Sequence, residues 1–529
     1  MIYKNKLKRQ IKSNFGKNPL TDCHIYYDGS ARIDKIRRLF DSKGKHTKNQ
    51  IDDITWNDLE MDEVFLRINH CNSFIGEQVL FDRLHSLGED ENFEERIEAF
   101  EKDADFRSDV EFHLNTLGKR QEAFYLYEII KDSNLVQIGS TLVAILLQLL
   151  MVAFLGLYIF TLNSAFLGAL AIVGCINIVM SFSAKRKYEV IIGSLSYYIQ
   201  TYNCAKWLMK QGKYAKHIPE DVKASVNNLK GINRLASSML NRGNAKMLGD
   251  MTALLMDYIY GITLIDIVLC NHVMKAIDNK QEDVLKVIEF IGKVDSDIAI
   301  LSYRNSIELW CKPEKASFGI KSEGLAHPLL SNPVTCDFDL SGNAIITGPN
   351  ASGKSTFMKA VAINTIMART INTCTATRFT VSNIGVMTCM SLRDDVLSGD
   401  SYYLCEAKYV QRILMEVENN KDMLIVIDEI FKGTNTAERI AASKAILNFI
   451  GKTGCLAMVA THDMELATDS DFEKYYFDTQ IQDKEVVFDY RIHEGISKSA
   501  NAIALLRCLD YPDIVIREAQ ENIKKGKVG

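Results

Sequence analysis

Apolar residues recur at helical spacing in two long parts of the chain. In residues 56–131 they include Val64, Phe65 and Ile68, whose intervals of three and four residues place them on one face of a helix. Residues 186–310 continue this pattern over long runs with few helix breakers. The two parts together predict an all-α domain.

Beyond about residue 315 the pattern changes. Short apolar runs alternate there with helical segments, at Ala344–Thr347, 424–427, Leu456–Ala460 and 486–490. Such alternation is typical of a parallel sheet that is covered by helices. The predicted fold class is therefore an α/β domain C-terminal to an all-α core.

Residues 133–184 contain no Asp, Glu, Lys or Arg. They include two apolar runs, 135–160 and 165–182, which a short polar turn separates. A helix rises about 1.5 Å per residue, so about 20 residues cross a hydrocarbon core of about 30 Å. The stretch predicts a two-helix transmembrane hairpin over 134–183. The alternative is a buried hairpin inside a large soluble helical domain.

Basic residues flank this hairpin on both sides, at Lys119, Arg120 and Lys131 before it and at 185–187 after it. The turn between the helices carries none. Because the cytoplasmic flanks of transmembrane helices are enriched in Lys and Arg, we expect a two-pass protein of the cytoplasmic membrane with both termini in the cytoplasm.

A further apolar segment, 252–274, contains Asp257 and Asp266. An acid inside a bilayer costs a few kcal/mol. This segment is therefore predicted to be an ordinary core helix rather than a third membrane helix.

The formal net charge of −5 is mild, but basic residues are concentrated in two segments. Residues 1–48 carry thirteen Lys and Arg against four Asp, and residues 206–246 carry nine against two acids. Charge alone allows contacts with nucleic-acid phosphates, contacts with anionic lipid, or a solvated surface. The twelve cysteines show no C-x-x-C spacing, which favours reduced thiols, and the first 25 residues lack the apolar region of a cleaved signal peptide.

The strongest chemical motif is a Gly-rich loop. It matches G-x-x-x-x-G-K-[ST], follows the apolar strand Ala344–Thr347 and opens a helix, which is the context that a phosphate-binding P-loop requires. Its backbone N–H groups would surround the β-phosphate, Lys354 would reach the β- and γ-phosphates, and Ser355 would ligate Mg²⁺. The predicted nucleotide contacts in the loop are Gly348, Pro349, Asn350, Ala351, Ser352, Gly353, Lys354, Ser355 and Thr356.

Two acids follow a second apolar strand, at Asp428 and Glu429. Ligands of such sheets bind at the carboxyl ends of the strands. We expect Asp428 to hold Mg²⁺ and Glu429 to orient or deprotonate the attacking water. A third strand, Leu456–Ala460, is followed by His462, which could sense the γ-phosphate.

The segment 398–406, between the two nucleotide motifs, reads as a turn and helix N-cap. Ser398 and Ser401 lie in the turn, and a helix is predicted to begin at Tyr402. A capped helix N-terminus can bind a phosphate, and a plain helix cap is the alternative.

Together these residues resemble the MutS family of DNA mismatch-repair ATPases. The likeness is specific over about 320–515 and looser over 56–310. It is carried by Pro-Asn inside the P-loop at 349–350 and by the segments 428–436, 460–466, 398–406 and 495–502, with weaker likeness at 327–328, 59–62 and 72–76.

The resemblance implies a homodimeric ATPase that uses ATP and Mg²⁺, with each nucleotide lying between two subunits. One subunit would supply the P-loop, with Lys354, Glu429 and His462 in catalysis, and the other would supply the signature serine, Ser401. ATP would close the dimer and hydrolysis would reopen it. The resemblance also makes double-stranded DNA a candidate partner.

The sequence departs from the family pattern at two places. Phe431-Lys432 replaces the usual Gly-Arg, and Tyr402-Tyr403 replaces Thr-Phe after the signature serine. Both sites border the phosphates, so the sequence leaves open whether hydrolysis is fast or slow.

Only about 55 residues precede the helical core, too few for the family's mismatch-recognition domain. Phe93-Glu-Glu95 fits the family's Phe-x-Glu wedge by letters, and we interpret it as a chance match. The apolar hairpin stands roughly where the family's lever helices run out to a DNA clamp. Our hypothesis is that a membrane anchor replaces the clamp.

The predicted domains are a basic segment (1–55), the first part of the helical core (56–133), the hairpin (134–183), the second part of the core or lever (184–312) and the MutS-type ATPase domain (313–529).

Three functions stay open at this point. The first is a membrane-anchored MutS-like ATPase that binds DNA, with mismatch specificity in doubt. The second is an ATP-driven membrane switch that acts on a protein or lipid partner without DNA. The third, an ABC transporter half, ranks last because it needs about six membrane helices.

Overall fold

The computed structural model divides the chain into two compact units, each built from separate parts of the sequence. The first consists of Met1–Lys45, Ile68–Asp82 and Asp90–Ser306, and the second of His46–Arg67, Arg83–Glu89 and Ile307–Gly529. The residues that the structure describes are 2–19, 29–44, 49–88, 90–133, 138–234, 236, 259, 261–349, 352–390, 402–431, 435–482, 485–496 and 511–526.

Helices dominate the part of the chain before residue 306, as the apolar spacing predicted. In chain order they are α1 (Ile2–Asn14), α2 (Gly29–Ser42), α3 (Asp53–Asp58), α4 (Met61–Ile68), α5 (Phe74–His85), α6 (Phe93–Lys102), α7 (Ala104–Leu117), α8 (Leu126–Lys131), α9 (Thr141–Thr161), α10 (Ser164–Lys187), α11 (Glu189–Met209), α12 (Gly212–Ala215), α13 (Glu220–Asn228), α14 (Ile265–Asp278) and α15 (Gln281–Asn305). A short 3₁₀ turn, Gln121–Ala123, precedes α8.

The long helix α15 lies at the centre of the first unit and is buried along most of its length. Its Asp295 is fully buried and accepts hydrogen bonds from the backbone N–H groups of Asn72 and Ser73, at 3.0 and 2.7 Å. These bonds satisfy donors at the start of α5, which helix geometry leaves without partners. A Cβ on Gly76 would lie 2.2 Å from the Asp295 carboxylate, so only glycine allows this approach. The segment 72–76 noted in the sequence is thus a close helix crossing.

The predicted hairpin is present as α9 and α10. Both helices are long and apolar enough to cross a membrane, and only a small share of each is buried, 6% for Thr141–Thr161 and 17% for Ser164–Ala184. Large apolar side chains such as Leu142, Val152 and Phe160 are exposed along it. The alternative of a hairpin buried in a soluble core therefore does not fit the described helices.

The segment 252–274, predicted to be an ordinary core helix, is interrupted in its described part. Leu264 has a left-handed φ of 52°, and α14 begins only at Ile265. Leu264 and Ile267 are buried against Ala144 of α9, so this segment packs on the apolar hairpin. Residues 251–258, with Asp257, lie outside the described residues.

The second unit is an α/β domain. Its strands are β1 (Glu314–Lys315), β2 (Ile320–Leu325), β3 (Cys336–Leu340), β4 (Ala344–Thr347), β5 (Arg378–Val381), β6 (Gly385–Cys389), β7 (Met423–Asp428), β8 (Leu456–Ala460), β9 (Glu473–Gln482) and β10 (Glu485–Glu494). Its helices after residue 306 are α16 (Lys354–Ile371), α17 (Tyr402–Asn419), α18 (Thr436–Thr453), α19 (Met464–Asp469) and α20 (Asp513–Gly526).

The main sheet of this unit has the strand order β10-β9-β4-β8-β7-β6. Every pair is parallel except β9 with β10, which is antiparallel, so the predicted all-parallel sheet has one antiparallel edge. All residues of β4 and β8 are buried, which is why both read as continuous apolar runs. The other sheet has the order β1-β5-β2-β3.

Part of the chain from before residue 68 belongs to this α/β unit. Asp58 of α3 is buried and accepts hydrogen bonds from Thr388 Oγ1 at 2.7 Å and from the Met390 N–H at 2.9 Å, at the end of β6. A buried carboxylate with two such donors fixes α3 on the sheet.

Candidate nucleotide site

The predicted phosphate loop runs from the end of β4 to the start of α16. Gly348 has φ 142°, and a Cβ there would lie 2.7 Å from the Phe477 carbonyl oxygen. Gly353 has φ 104°, and a Cβ there would lie 3.1 Å from the Tyr490 ring. Both positions therefore require glycine. Asn350 and Ala351, between them, lie outside the described residues.

The Lys354 side chain is folded into this loop and is 5% exposed. Its Nζ donates hydrogen bonds to the carbonyl oxygens of Gly348 at 2.7 Å and Pro349 at 2.9 Å. The Ser352 hydroxyl also donates to Pro349, at 2.8 Å. An ammonium held at the N-terminal end of an 18-residue helix favours an anion in the loop.

Ser355 and Asp428 meet beside the loop. The Ser355 hydroxyl donates to Asp428 Oδ2 at 2.5 Å, although 73 positions separate the two residues. In register, Asp428 at the end of β7 is level with Ala460 of β8, which is level with Ile346 of β4. A hydroxyl and a carboxylate oxygen fit Mg²⁺, which prefers oxygen ligands and takes its remaining ones from phosphate and water.

Glu429 and His462 form a second pair at this edge of the sheet. His462 Nε2 lies 2.8 Å from Glu429 Oε1, a hydrogen-bond distance. Glu429 has a left-handed φ of 62°, and its N–H donates to the Ala460 carbonyl at 3.0 Å. A non-glycine residue in this conformation costs about 1–2 kcal/mol, so its surroundings must hold it there.

The segment that carries His462 is fixed by an ion pair. Arg439 of α18 donates two hydrogen bonds to Asp463, at 2.8 and 3.0 Å. The Thr461 N–H donates to the Ile346 carbonyl at 3.0 Å, which continues the contact of β8 with β4. The Asp463 contact, which sequence reasoning missed, depends on a cation 24 positions away.

The two departures from the family pattern lie against each other. The Tyr403 ring at the start of α17 contacts the Phe431 ring, with centroids 5.5 Å apart. Phe431 is 8% exposed and has a left-handed φ of 60°, a conformation that the glycine usual in the family adopts without strain. The loop after Glu429 therefore contacts the start of α17 through these two rings. Ser398, Ser401 and Lys432 lie outside the described residues.

A cavity of about 370 Å³ opens beside Gly353 and Thr356 of the loop. Its wall is mainly apolar and includes Leu330, Val334 and the Tyr490 ring. Its size is within the range of small-molecule sites, and an aromatic wall next to a phosphate loop fits a planar base. These residues follow no sequence motif, so nothing in the linear pattern indicated them.

His327 also lines this cavity. Burial, together with nearby Lys359, lowers the pKa of its ring to about 4. The ring is therefore neutral at pH 7 and could accept or donate a hydrogen bond to a neutral base. In the sequence His327 indicated only the start of the α/β domain.

The fold and the phosphate loop together define the α/β part of the second unit as a P-loop nucleotide-binding domain. Comparison with known proteins refines this class: residues 344–526 match the family "MutS domain V". This match supports a relationship of the chain to the MutS family through that family's ATPase domain.

Curated relatives point the same way. "DNA mismatch repair protein MutS" of Thermotoga petrophila is 27% identical over 274 residues, 49% of this chain and 34% of the relative. The protein of the same name from Aquifex pyrophilus is 28% identical over 265 residues, which are 46% of this chain and 31% of the relative. That from Acetivibrio thermocellus is 30% identical over 200 residues, which are 37% of this chain and 23% of the relative. The chain thus spans about a third or less of the length of these relatives.

Proposed function

We propose that this chain binds Mg–ATP and hydrolyses it as a MutS-like ATPase. The observation that carries the proposal is the convergence of Lys354, the Ser355–Asp428 pair and the Glu429–His462 pair at the carboxyl edge of one sheet. Elements far apart in sequence supply these groups. Chance placement of a P-loop lysine, a metal-binding oxygen pair and a general base at one edge is improbable.

Each group has a chemical role in this proposal. Lys354 and the loop N–H groups bind the β- and γ-phosphates, and Ser355 and Asp428 hold Mg²⁺, which when bound neutralises charge on the phosphate oxygens. Glu429 takes a proton from the attacking water through Oε1 or Oε2, and His462 orients the Glu429 carboxylate. The cavity beside Gly353 takes the adenine ring.

The active form in this proposal is a homodimer, with Ser401 of a second subunit completing each site. The Tyr403–Phe431 contact supports coupling of this serine to hydrolysis, because it joins the start of α17 to the loop after Glu429. A change at the γ-phosphate could then move the helix that follows Ser401.

We also propose that α9 and α10 anchor the protein in the membrane and that both termini are cytoplasmic. Exposed apolar side chains along two charge-free helices of membrane-spanning length support this. A water-exposed surface of this kind would be costly, because burying apolar area is worth about 25 cal/mol per Å².

Double-stranded DNA is the partner that we propose for the basic surface of the first unit. Lys206, Lys210, Lys216 and Lys230 are exposed there. Lys206 lies near the end of α11, 17 residues after its start next to the hairpin, which corresponds to about 26 Å along a helix. A surface at that distance from the anchor favours DNA phosphates over lipid headgroups, since salt screens charges beyond about 8–10 Å.

ATP binding by the purified full chain tests the nucleotide site. We expect Lys354→Ala to weaken Mg–ATP binding by about tenfold or more, a loss of about 1.4 kcal/mol or more. Lys421→Ala, which removes an exposed lysine before β7, is the matched control and should bind normally. Equal affinities for the two variants would refute the site.

DNA stimulation of the ATPase separates the two candidate functions. The DNA-binding function predicts that duplex DNA raises turnover and that binding weakens steeply with salt. A membrane switch that acts on a protein or lipid partner predicts turnover that DNA leaves unchanged. Homoduplex and mismatched duplex should be compared side by side, because equal binding of both would exclude mismatch specificity.

A further inference from the structure

Two amide side chains of the hairpin bond to backbone carbonyls of a third segment. Gln148 of α9 donates to the Thr263 carbonyl at 2.7 Å, and Asn177 of α10 donates to the Ile262 carbonyl at 2.7 Å. Asn177 is fully buried. The two carbonyls immediately precede Leu264, whose left-handed φ of 52° interrupts the helix before α14.

Both amides lie at the same depth in the hairpin. Gln148 is seven residues after Thr141, the start of α9, and Asn177 is seven residues before Ala184, the end of the apolar part of α10. Seven residues correspond to about 10 Å of helix. If the hairpin crosses the bilayer, the interruption at 262–264 lies about 10 Å inside the cytoplasmic boundary.

A second set of hydrogen bonds fixes the same register at the boundary. Asn271 of α14 accepts from the Ile138 N–H at 2.7 Å and donates to the Ile138 carbonyl at 2.9 Å and to Thr141 Oγ1 at 2.8 Å. Asn271 follows Leu264 by seven residues, the same number that separates Thr141 from Gln148. The start of α14 therefore runs beside α9 from the interruption back to the cytoplasmic end.

Close packing accompanies these bonds. Leu264 is fully buried, Ile267 is 5% exposed, and both contact Ala144 of α9. A Cβ on Gly261 would lie 3.5 Å from the Ser181 hydroxyl, in ordinary contact with α10. The segment thus fills the seam between the two hairpin helices.

Two large apolar side chains of this segment are exposed. Ile259 is 51% exposed and Ile265 is 42% exposed, as are leucines of the hairpin such as Leu149, at 60%. Acyl chains are the partner that fits such a surface next to charge-free helices. In lipid every backbone polar group needs a partner from the protein, and Gln148 and Asn177 supply hydrogen-bond donors to the Thr263 and Ile262 carbonyls.

We infer that the described residues of 259–271 form a third membrane-embedded segment, a helix interrupted inside the cytoplasmic leaflet, whose Thr263 and Ile262 carbonyls accept hydrogen bonds from Gln148 and Asn177. The inference rests on the proposed membrane anchoring by the hairpin. Asp266, which argued for a soluble helix, is five residues before Asn271 and thus only about 7 Å along the helix from the boundary level. An acid there costs less than at the bilayer centre.

Tryptophan quenching by brominated lipid tests this inference with the full chain. Ile265→Trp probes the segment, Leu149→Trp probes the hairpin, and Asn279→Trp, just after α14, is the water-exposed control. Each variant is reconstituted in phosphatidylcholine–phosphatidylglycerol vesicles with plain or brominated acyl chains. The three native tryptophans give a constant background.

We expect brominated lipid to remove most of the added emission at 149 and 265 and little at 279. Quenching at 149 without quenching at 265 would overturn the inference and leave the hairpin anchor intact. No quenching at either position would refute the anchor itself, and the inference with it.

The capping role of the amides needs a second comparison. In the Ile265→Trp background, the double change of Gln148→Leu and Asn177→Leu removes both amide hydrogen bonds to the Thr263 and Ile262 carbonyls. We expect quenching at 265 to fall toward that of the control, because the interrupted segment then moves toward water. Unchanged quenching at 265 would show that the amides do not hold the segment in lipid. Retained ATP turnover in the same sample confirms that the variant is folded.

Discussion

Glu111 of α7 offers a pH-dependent test of the helical unit. It is 6% exposed, and burial raises its pKa from 4.5 to about 8. The Arg107 guanidinium, 3.9 Å away, opposes this rise, and buried Asp295 adds to it. The carboxyl is therefore protonated in the folded protein at pH 7, while in the unfolded chain it is ionised.

The sign of the effect on stability follows from this difference. Below about pH 4.5 both states carry the proton and Glu111 has no effect. As the pH rises to about 8, the unfolded chain releases the proton and the folded protein keeps it, so the free energy of unfolding falls. A pKa rise from 4.5 to about 8 corresponds to at most about 5 kcal/mol, at about 1.4 kcal/mol per pKa unit. Relaxation and water penetration lower this, and we expect about 2–3 kcal/mol.

Glu111→Gln replaces the protonated carboxyl by a neutral amide of nearly equal shape. The thermal midpoints of the two proteins, followed by circular dichroism at pH 5 and pH 8, measure the effect. We expect the variant to be close to wild type at pH 5 and more stable at pH 8. Glu98→Gln on α6, an exposed position, should show no such difference. A variant less stable than wild type at pH 8 would mean that Glu111 is ionised in the folded protein, and would refute a protonated carboxyl there.

Three other substitutions test the packing and the loop. Gly348→Ala should abolish nucleotide binding in an equilibrium assay, because the Cβ at position 348 would clash with a β9 carbonyl at 2.7 Å. The control Gly212→Ala, with open space around it, should bind normally. Gly292→Ala should lower the free energy of unfolding by about 1–3 kcal/mol, since its Cβ would lie 2.4 Å from a valine of α5, whereas Gly168→Ala, with open space around it, should not. Asn435→Ala removes the N-cap of α18 and should lower the free energy of unfolding by about 1 kcal/mol, and Asn435→Ser should restore most of this loss. Equal stabilities of wild type and Asn435→Ala would contradict a stabilising cap.

The positions of the phosphate loop at a helix start and of Asp428 at a strand end were predictable because contiguous residues determine them. A glycine at φ 142°, a lysine inside the loop and an acid at the end of a buried strand each leave a local pattern. Helix and strand positions followed from apolar spacing for the same reason. Residues 486–490 were predicted as a strand, but the antiparallel direction of β10 beside β9 was not, because apolar spacing does not reveal strand direction.

The features that sequence reasoning missed depend on distant partners. The cavity wall joins residues from β2 to β10, and its apolar members look like ordinary core. The interruption at Leu264 is stabilised by amides 115 and 85 positions away from the carbonyls that they cap. Considered alone, Asp266 favoured an ordinary core helix over a membrane helix. Once the amide caps are known, the same segment fits the cytoplasmic leaflet.

We propose that Glu429 activates water at a site where Lys354, Ser355 and Asp428 bind Mg–ATP. Single-turnover hydrolysis by the purified full chain, wild type against Glu429→Gln, tests it most directly. We expect the variant to bind Mg–ATP with wild-type affinity and to hydrolyse it about a hundredfold or more slowly, the usual size of a general-base contribution. Hydrolysis by Glu429→Gln at the wild-type rate would mean that Glu429 does not activate the water.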